Sequence, residues 1–107
     1  KRLNLKTSFS FVAQGQKAET NICKLFFREG DSEKPLVGIA LKTEYFKKAV
    51  DRNRARRLIS WAMEQLYPKL APKLNLILMP KTEVLKFSSK EILEVLEKEL
   101  RRLDLLV

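Results

Sequence analysis

The chain has 107 residues, with 22 lysines or arginines against 13 acids, one cysteine and no histidine. That length suits one domain, residues 1–107, burying roughly two-thirds of its unfolded surface, and the lack of histidine removes the commonest general base and zinc ligand. A lone Cys23 leaves no internal disulfide framework and reads as a small core hydrophobe in a reducing compartment.

No apolar run nears the roughly 18 residues of a membrane span and no signal-peptide pattern opens the chain, so a soluble, cytoplasmic location is expected. The net charge of +9 is unevenly placed: residues 1–60 hold 14 basic side chains against 6 acidic ones, and the remainder 8 against 7. Such a field favours a polyanion, either nucleic acid or an anionic membrane, with nucleic acid preferred.

After a basic start, Thr7 or Ser8 is placed to cap a short helix carrying Phe9, Val12 and Ala13, which Gly15 stops. From Asn21 to Arg28 the pattern alternates. Cys23, Leu25 and Phe27 form a core face, and Ile22, Lys24, Phe26 and Arg28 form an aromatic and basic one. The second face suits bases that stack and phosphates that need neutralising. A polar turn ending in Pro35 leads to a second strand, Leu36 to Lys42, with Val37, Ile39 and Leu41 on its apolar side.

Thr43 to Asp51 is a connector containing Tyr45, Phe46, Lys47 and Lys48, and a helix follows from about Ala49 to Tyr67. Leu74 to Met79 is a buried strand, so strand, helix and strand make a βαβ unit with parallel pairing. Ser88 and Glu91 have the spacing of a capping box and announce a last helix with Ile92, Leu93, Leu96, Leu100 and Leu103 along one side.

The functional signal lies in Arg52-Asn53-Arg54-Ala55-Arg56-Arg57. At about 100° per residue from Arg52, the side chains of Ala55, Leu58, Ile59, Ala62 and Leu66 fall in an apolar arc that docks on the sheet. Arg52, Arg56, Ser60, Asn53 and Arg57 form a polar arc beside it, whereas Arg54 points away, near Trp61; Lys47 and Lys48 of the connector join the arc's residues as candidates for binding RNA. Guanidinium forks near a helix N-terminus match phosphate oxygens, and an asparagine amide can both accept and donate. No paired carboxylates or nucleophile with a partner base are visible, so no catalytic residues are assigned.

The motif and the order of elements resemble the bacterial ribonuclease P protein subunit. Arg52 to Arg57 matches the family's Arg-Asn-Arg motif, Val37-Gly38-Ile39-Ala40-Leu41 its Val-Gly strand, Ala49-Val50 the pair leading into the motif, and the Phe9, Val12 and Gly15 spacing its first helix. The resemblance implies an α+β fold, an αβββαβα two-layer sandwich in which helices pack on a four-stranded mixed sheet with a left-handed βαβ crossover. It implies a subunit that binds the catalytic RNA of ribonuclease P through Arg52, Asn53, Arg54, Arg56 and Arg57. A cleft of Phe9, Lys24 and Phe26 would hold the 5′ leader of precursor tRNA.

Endonucleolytic cleavage in that family is performed by the RNA with Mg2+. The protein alone would hold no metal and need no protein partner or membrane. The chain departs from the family pattern at Ala13, at Thr43 and Glu44, and at Ser60. Alternatives from other classes are a structural or ribosome-associated RNA-binding protein and a protein nuclease acting alone.

Overall fold

The computed structural model describes residues 5–107, with side chains from Phe9 onward; residues 1–4 of the basic N-terminal stretch lie outside it. Its elements run in the order α1 (Leu5–Ala13), β1 (Gln16–Glu19), β2 (Cys23–Glu29), β3 (Leu36–Ile39), α2 (Ala49–Leu66), β4 (Leu74–Pro80) and α3 (Ser89–Arg102). Short 3-10 turns at Tyr67–Lys69 and Thr82–Lys86 flank β4.

The sheet order is β1-β2-β4-β3. β2 is antiparallel to both β1 and β4, and β3 is parallel to β4 across the α2 crossover, so the sheet is mixed. Every residue of β4 is buried, consistent with a central strand covered on both faces. Its alternation sorts the core. Leu74, Leu76 and Leu78 join Cys23, Leu25 and Phe27 under α2 and α3, while Ile77 meets Val12, Phe9, Phe26, Leu36 and Ala40 on the side of α1.

Local chemistry explains the helix limits. Ser88 and Glu91 close the expected capping box, with Ser88 N–H donating to Glu91 Oε1 at 2.8 Å and Glu91 N–H donating to Ser88 Oγ at 3.2 Å. Ile92, Leu96 and Leu100 are fully buried, with Leu93 and Leu103 packed beside them. Along α2, Ala55, Ile59, Ala62 and Leu66 are buried as the wheel requires, but they pack mainly against α3, with the sheet a lesser partner. Met63 joins them. It lies at about 20° on the wheel, between Arg52 and Arg56, so the direction that is polar in the first turns of α2 has turned inward by the fourth.

Several boundaries differ from expectation. α1 begins at Leu5, which puts Thr7 and Ser8 inside the helix backbone rather than at its cap. The second strand begins at Cys23, and Ile22, before it, escapes the alternation and is buried in the main core, its carbonyl accepting from Lys81 N–H at 2.8 Å. β3 ends at Ile39, although Ala40 N–H still donates to Leu78 O at 2.9 Å. α1 ends at Ala13, just before Gly15, where the chain passes so close to β2 that a Cβ would sit 2.6 Å from the Phe27 carbonyl oxygen and 2.8 Å from Arg28 Cβ.

Candidate nucleic-acid interface

The start of α2 is built without a side-chain N-cap. Lys48 takes the cap position in extended conformation, and Arg52 supplies the tie instead, its Nη1 donating to Phe46 O at 2.7 Å and to Lys47 O at 3.4 Å. Phe46 is sunk into the core at 1% exposure. The connector is thereby pinned at both ends, which holds Lys47 and Lys48 out to solvent beside the first helical turn. Arg52 is half-buried in doing this, so the first arginine of the motif is partly a structural residue, a role the wheel did not reveal.

Asn53, Arg54, Arg56 and Arg57 are exposed and Ser60 is half-buried. Among the described residues no arginine of α2 is in an ion pair, although Asp51 and Glu64 lie on the same helix. α3 is handled differently. Arg101 pairs with Glu97 at 2.8 Å and Arg102 with Glu99 at 2.5 Å, and the hydrogen bond from Arg102 holds the Glu99 carboxyl below its ordinary range. One helix therefore neutralises its guanidiniums internally, and the other leaves Arg54, Arg56 and Arg57 without an ion-pair partner among the described residues, at the end where the helix dipole favours negative charge.

A second set of predicted residues meets on the other face of the sheet. The rings of Phe9 and Phe26 are edge-to-face, 6.0 Å between centroids and 64° apart, and Lys24, one row along β2, is half-buried opposite Glu19 and Met79. Phe26 is itself half-buried against Val12 and Ile77, so its ring offers an edge and part of a face. The Glu19 carboxylate is held by Lys81 and pushed below its ordinary range chiefly by that hydrogen bond.

Because α1 and α2 lie on opposite faces of the sheet, the structure keeps the arginine set and the aromatic set apart. Two members of the aromatic face were not anticipated. Lys17 Nζ stands 6.0 Å over the Phe26 ring from β1, and Phe11, 42% exposed, is stacked by the Arg28 guanidinium at 4.1 Å, which also donates to Phe11 O at 3.0 Å. The clue to β1 lay at its turn: Thr20 Oγ1 accepts from Ile22 and Cys23 N–H, both at 3.1 Å, a local hydroxyl-to-backbone pattern that marks chain reversal.

Two kinds of chemistry find no support in these side chains. Burial pushes the Cys23 thiol up to about 12, the opposite of an activated nucleophile. Among the described residues no three His, Cys, Asp or Glu side chains gather in a metal-binding group, and no helix is long and apolar enough to cross a membrane.

The sequence profile of the family described as Ribonuclease P matches residues 1–104. The chain belongs to the ribonuclease P protein family. It is 40% identical over 78 residues to the ribonuclease P protein component of Trichormus variabilis, an alignment covering 71% of this chain and 56% of that protein. With the component of Pseudoalteromonas atlantica identity is 31% over 103 residues, 95% of this chain and 85% of the relative. The chain thus spans little more than half the length of the first relative and most of the second. The RNase P protein of Thermotoga maritima superposes with a TM-score of 0.83 at 20% identity, covering 95% of this chain and 96% of that one. That of Staphylococcus aureus gives 0.84 at 15%, covering 99% and 97%. At those identities the likeness speaks to the fold, which is the expected α+β arrangement of three helices and a four-stranded mixed sheet.

Proposed function

We propose that this chain is the protein subunit of a ribonuclease P ribonucleoprotein. In this reading it binds the catalytic RNA through the N-terminal half of α2 and the 5′ leader of precursor tRNA along the α1 face of the sheet, assisting endonucleolytic 5′ maturation of tRNA in the cytoplasm. The observation that carries the reading is that, in a member of this family, the arginines of α2 have no ion-pair partner among the described residues, next to a helix whose arginines are paired.

Arg56, Arg57, Lys47 and Lys48, with Asn53 and Ser60, would neutralise and orient RNA phosphates. Arg52 contributes mainly by fixing the connector. Phe9, Phe26 and Lys24 would hold the leader, Lys17 adding a cation above Phe26. If about five phosphates are neutralised on a single strand, the log-log salt dependence of binding has a slope of roughly 3 to 4 in magnitude.

Mg2+ in this reading supplies Lewis-acid and water-activating chemistry to phosphodiester hydrolysis when bound by the RNA. The described side chains form no cluster of carboxylates suited to hold the ion. The chain's own contribution is to place substrate and screen phosphate repulsion, for which no further protein or membrane is required.

Reconstitution with the catalytic RNA at low Mg2+ tests this. Precursor tRNA cleavage should rise well above that of RNA alone. No gain would reject the reading in favour of a structural or ribosome-associated RNA binder, and cleavage without the RNA subunit would favour a protein nuclease.

A further inference from the structure

α2 carries a second line of side chains, most of which the RNA-facing stripe does not use. Val50, Arg54, Arg57 and Trp61 follow one another at intervals of four, three and four residues, placing them on one side of the helix over about 16 Å. Only Arg57, between the two faces, belongs to both.

The described part of the chain leaves four large hydrophobic side chains well exposed, and two of them, Val50 at 73% and Trp61 at 39%, are in this line. Both arginines between them are exposed, and neither is ion-paired or hydrogen-bonded to another described side chain. Nor does either cover the indole. Elsewhere the protein lays a cation over an aromatic ring, as Arg28 does on Phe11 and Lys42 on Tyr45. Arg57 is one turn from Trp61, yet among the described residues no such cation lies over the indole.

We propose that this line is a stacking site for an unpaired base of RNA, with Trp61 as the platform and Arg54 and Arg57 on the phosphates that flank it. The inference rests on the reading of α2 as an RNA-binding helix and adds that part of what it binds is single-stranded. An apolar protein partner would have to desolvate two unpaired guanidiniums to reach Val50 and Trp61 together. A nucleotide offers a π-face for the indole and a phosphate for each fork in one ligand. A duplex has phosphates but keeps its base faces stacked. The assignment also gives Arg54 a purpose, since its direction sets it apart from Arg52 and Arg56.

Trp61 is the chain's only tryptophan, so its emission reports on the site directly. The probes are a 12-nucleotide oligoadenylate RNA and a 12-base-pair blunt RNA duplex, with binding followed independently by anisotropy of an end label. Both should bind, and only the single strand should quench Trp61. Trp61→Ala should weaken the single strand on the order of tenfold and leave the duplex unchanged, whereas Trp61→Phe should keep most of the single-strand affinity. The salt slope should be the same in all three proteins, because stacking releases no counterion.

Binding of both RNAs without quenching overturns the stacking site. Equal quenching by both RNAs, or equal weakening of both by Trp61→Ala, overturns it too. Failure of both RNAs to bind rejects the RNA reading of α2 and this inference with it. The emission measurement uses the unaltered chain and does not depend on how the variants fold.

Discussion

Arg52 and Arg57 are two members of one motif, five residues apart, and the structure gives them different work. Arg52 Nη1 donates to the carbonyls of Phe46 and Lys47 at 2.7 and 3.4 Å, whereas Arg57 is exposed with no described partner. A hydrogen bond to a charged group contributes about 1.5–3 kcal/mol when well formed. Here one bond is short, the other is long, and the side chain is only half-buried, so water recovers part of the loss. Arg52→Ala should therefore cost about 1–2 kcal/mol, which for a domain of this size lowers Tm by roughly 5–10 °C. Arg57→Ala should stay within about 0.5 kcal/mol of the parent.

RNA binding should rank them the other way. Arg57→Ala should reduce the magnitude of the salt slope by about 0.7–0.9, the release expected for one phosphate contact, and Arg52→Ala by less than half of that. Thermal unfolding by circular dichroism and salt titration of binding to the catalytic RNA measure the two quantities separately. Equal Tm values for the variants, together with equal losses of slope, would refute the division of labour.

Phe26→Leu, which keeps the packing volume against Val12 and Ile77 but removes the ring, should weaken binding of leader-bearing precursor tRNA on the order of tenfold relative to mature tRNA, at unchanged salt slope; a change in slope without a change in that ratio would exclude stacking on Phe26. Asn75 is 7% exposed, and its Oδ1 has no hydrogen-bond partner among the described residues. Because an unmatched buried acceptor costs about 1–3 kcal/mol, Asn75→Leu should raise the urea midpoint, and a lowered midpoint would show that the amide is satisfied in solution.

The Glu91 carboxyl is held below its ordinary value of 4.5, first by the Ser88 backbone N–H and then by its hydroxyl. A depressed folded-state value stabilises the fold above 4.5 and is lost as pH falls through it. The stability difference between the parent and Glu91→Gln should therefore be constant near neutrality and shrink in acid below 4.5. A difference independent of pH would remove the charged cap.

The elements easiest to read were those whose local chemistry and burial agree. α3 carries its own start signal in Ser88 and Glu91, α2 has a compact apolar arc, and β4 is an apolar run that remains buried on both faces. β1 was not legible because Gln16–Glu19 is a short edge strand with three of its four residues exposed, so no alternation marks it, and Lys17 was missed with it. Ile22 was assigned to the wrong side because alternation was extended past the turn that Thr20 makes.

The arginine motif was legible as a set, and Arg54 as its outlier. The carbonyl contacts of Arg52 were not, since they depend on where the connector runs after Phe46 is buried. Met63 shows the same limit from the other side: a wheel assumes that one direction keeps one environment along the helix, and this direction enters the main core partway along α2.

The burial of Cys23 also bears on how the chain can be studied. With its side chain fully enclosed and its thiol raised to about 12, the only native cysteine stays protonated and out of reach of mild alkylating reagents while the core is closed. A cysteine introduced on α2 or beside Phe9 can then carry a dye or crosslinker without the native residue being removed. The native thiol, in turn, becomes a clock for core opening, reacting only as often as the sheet parts from its helices.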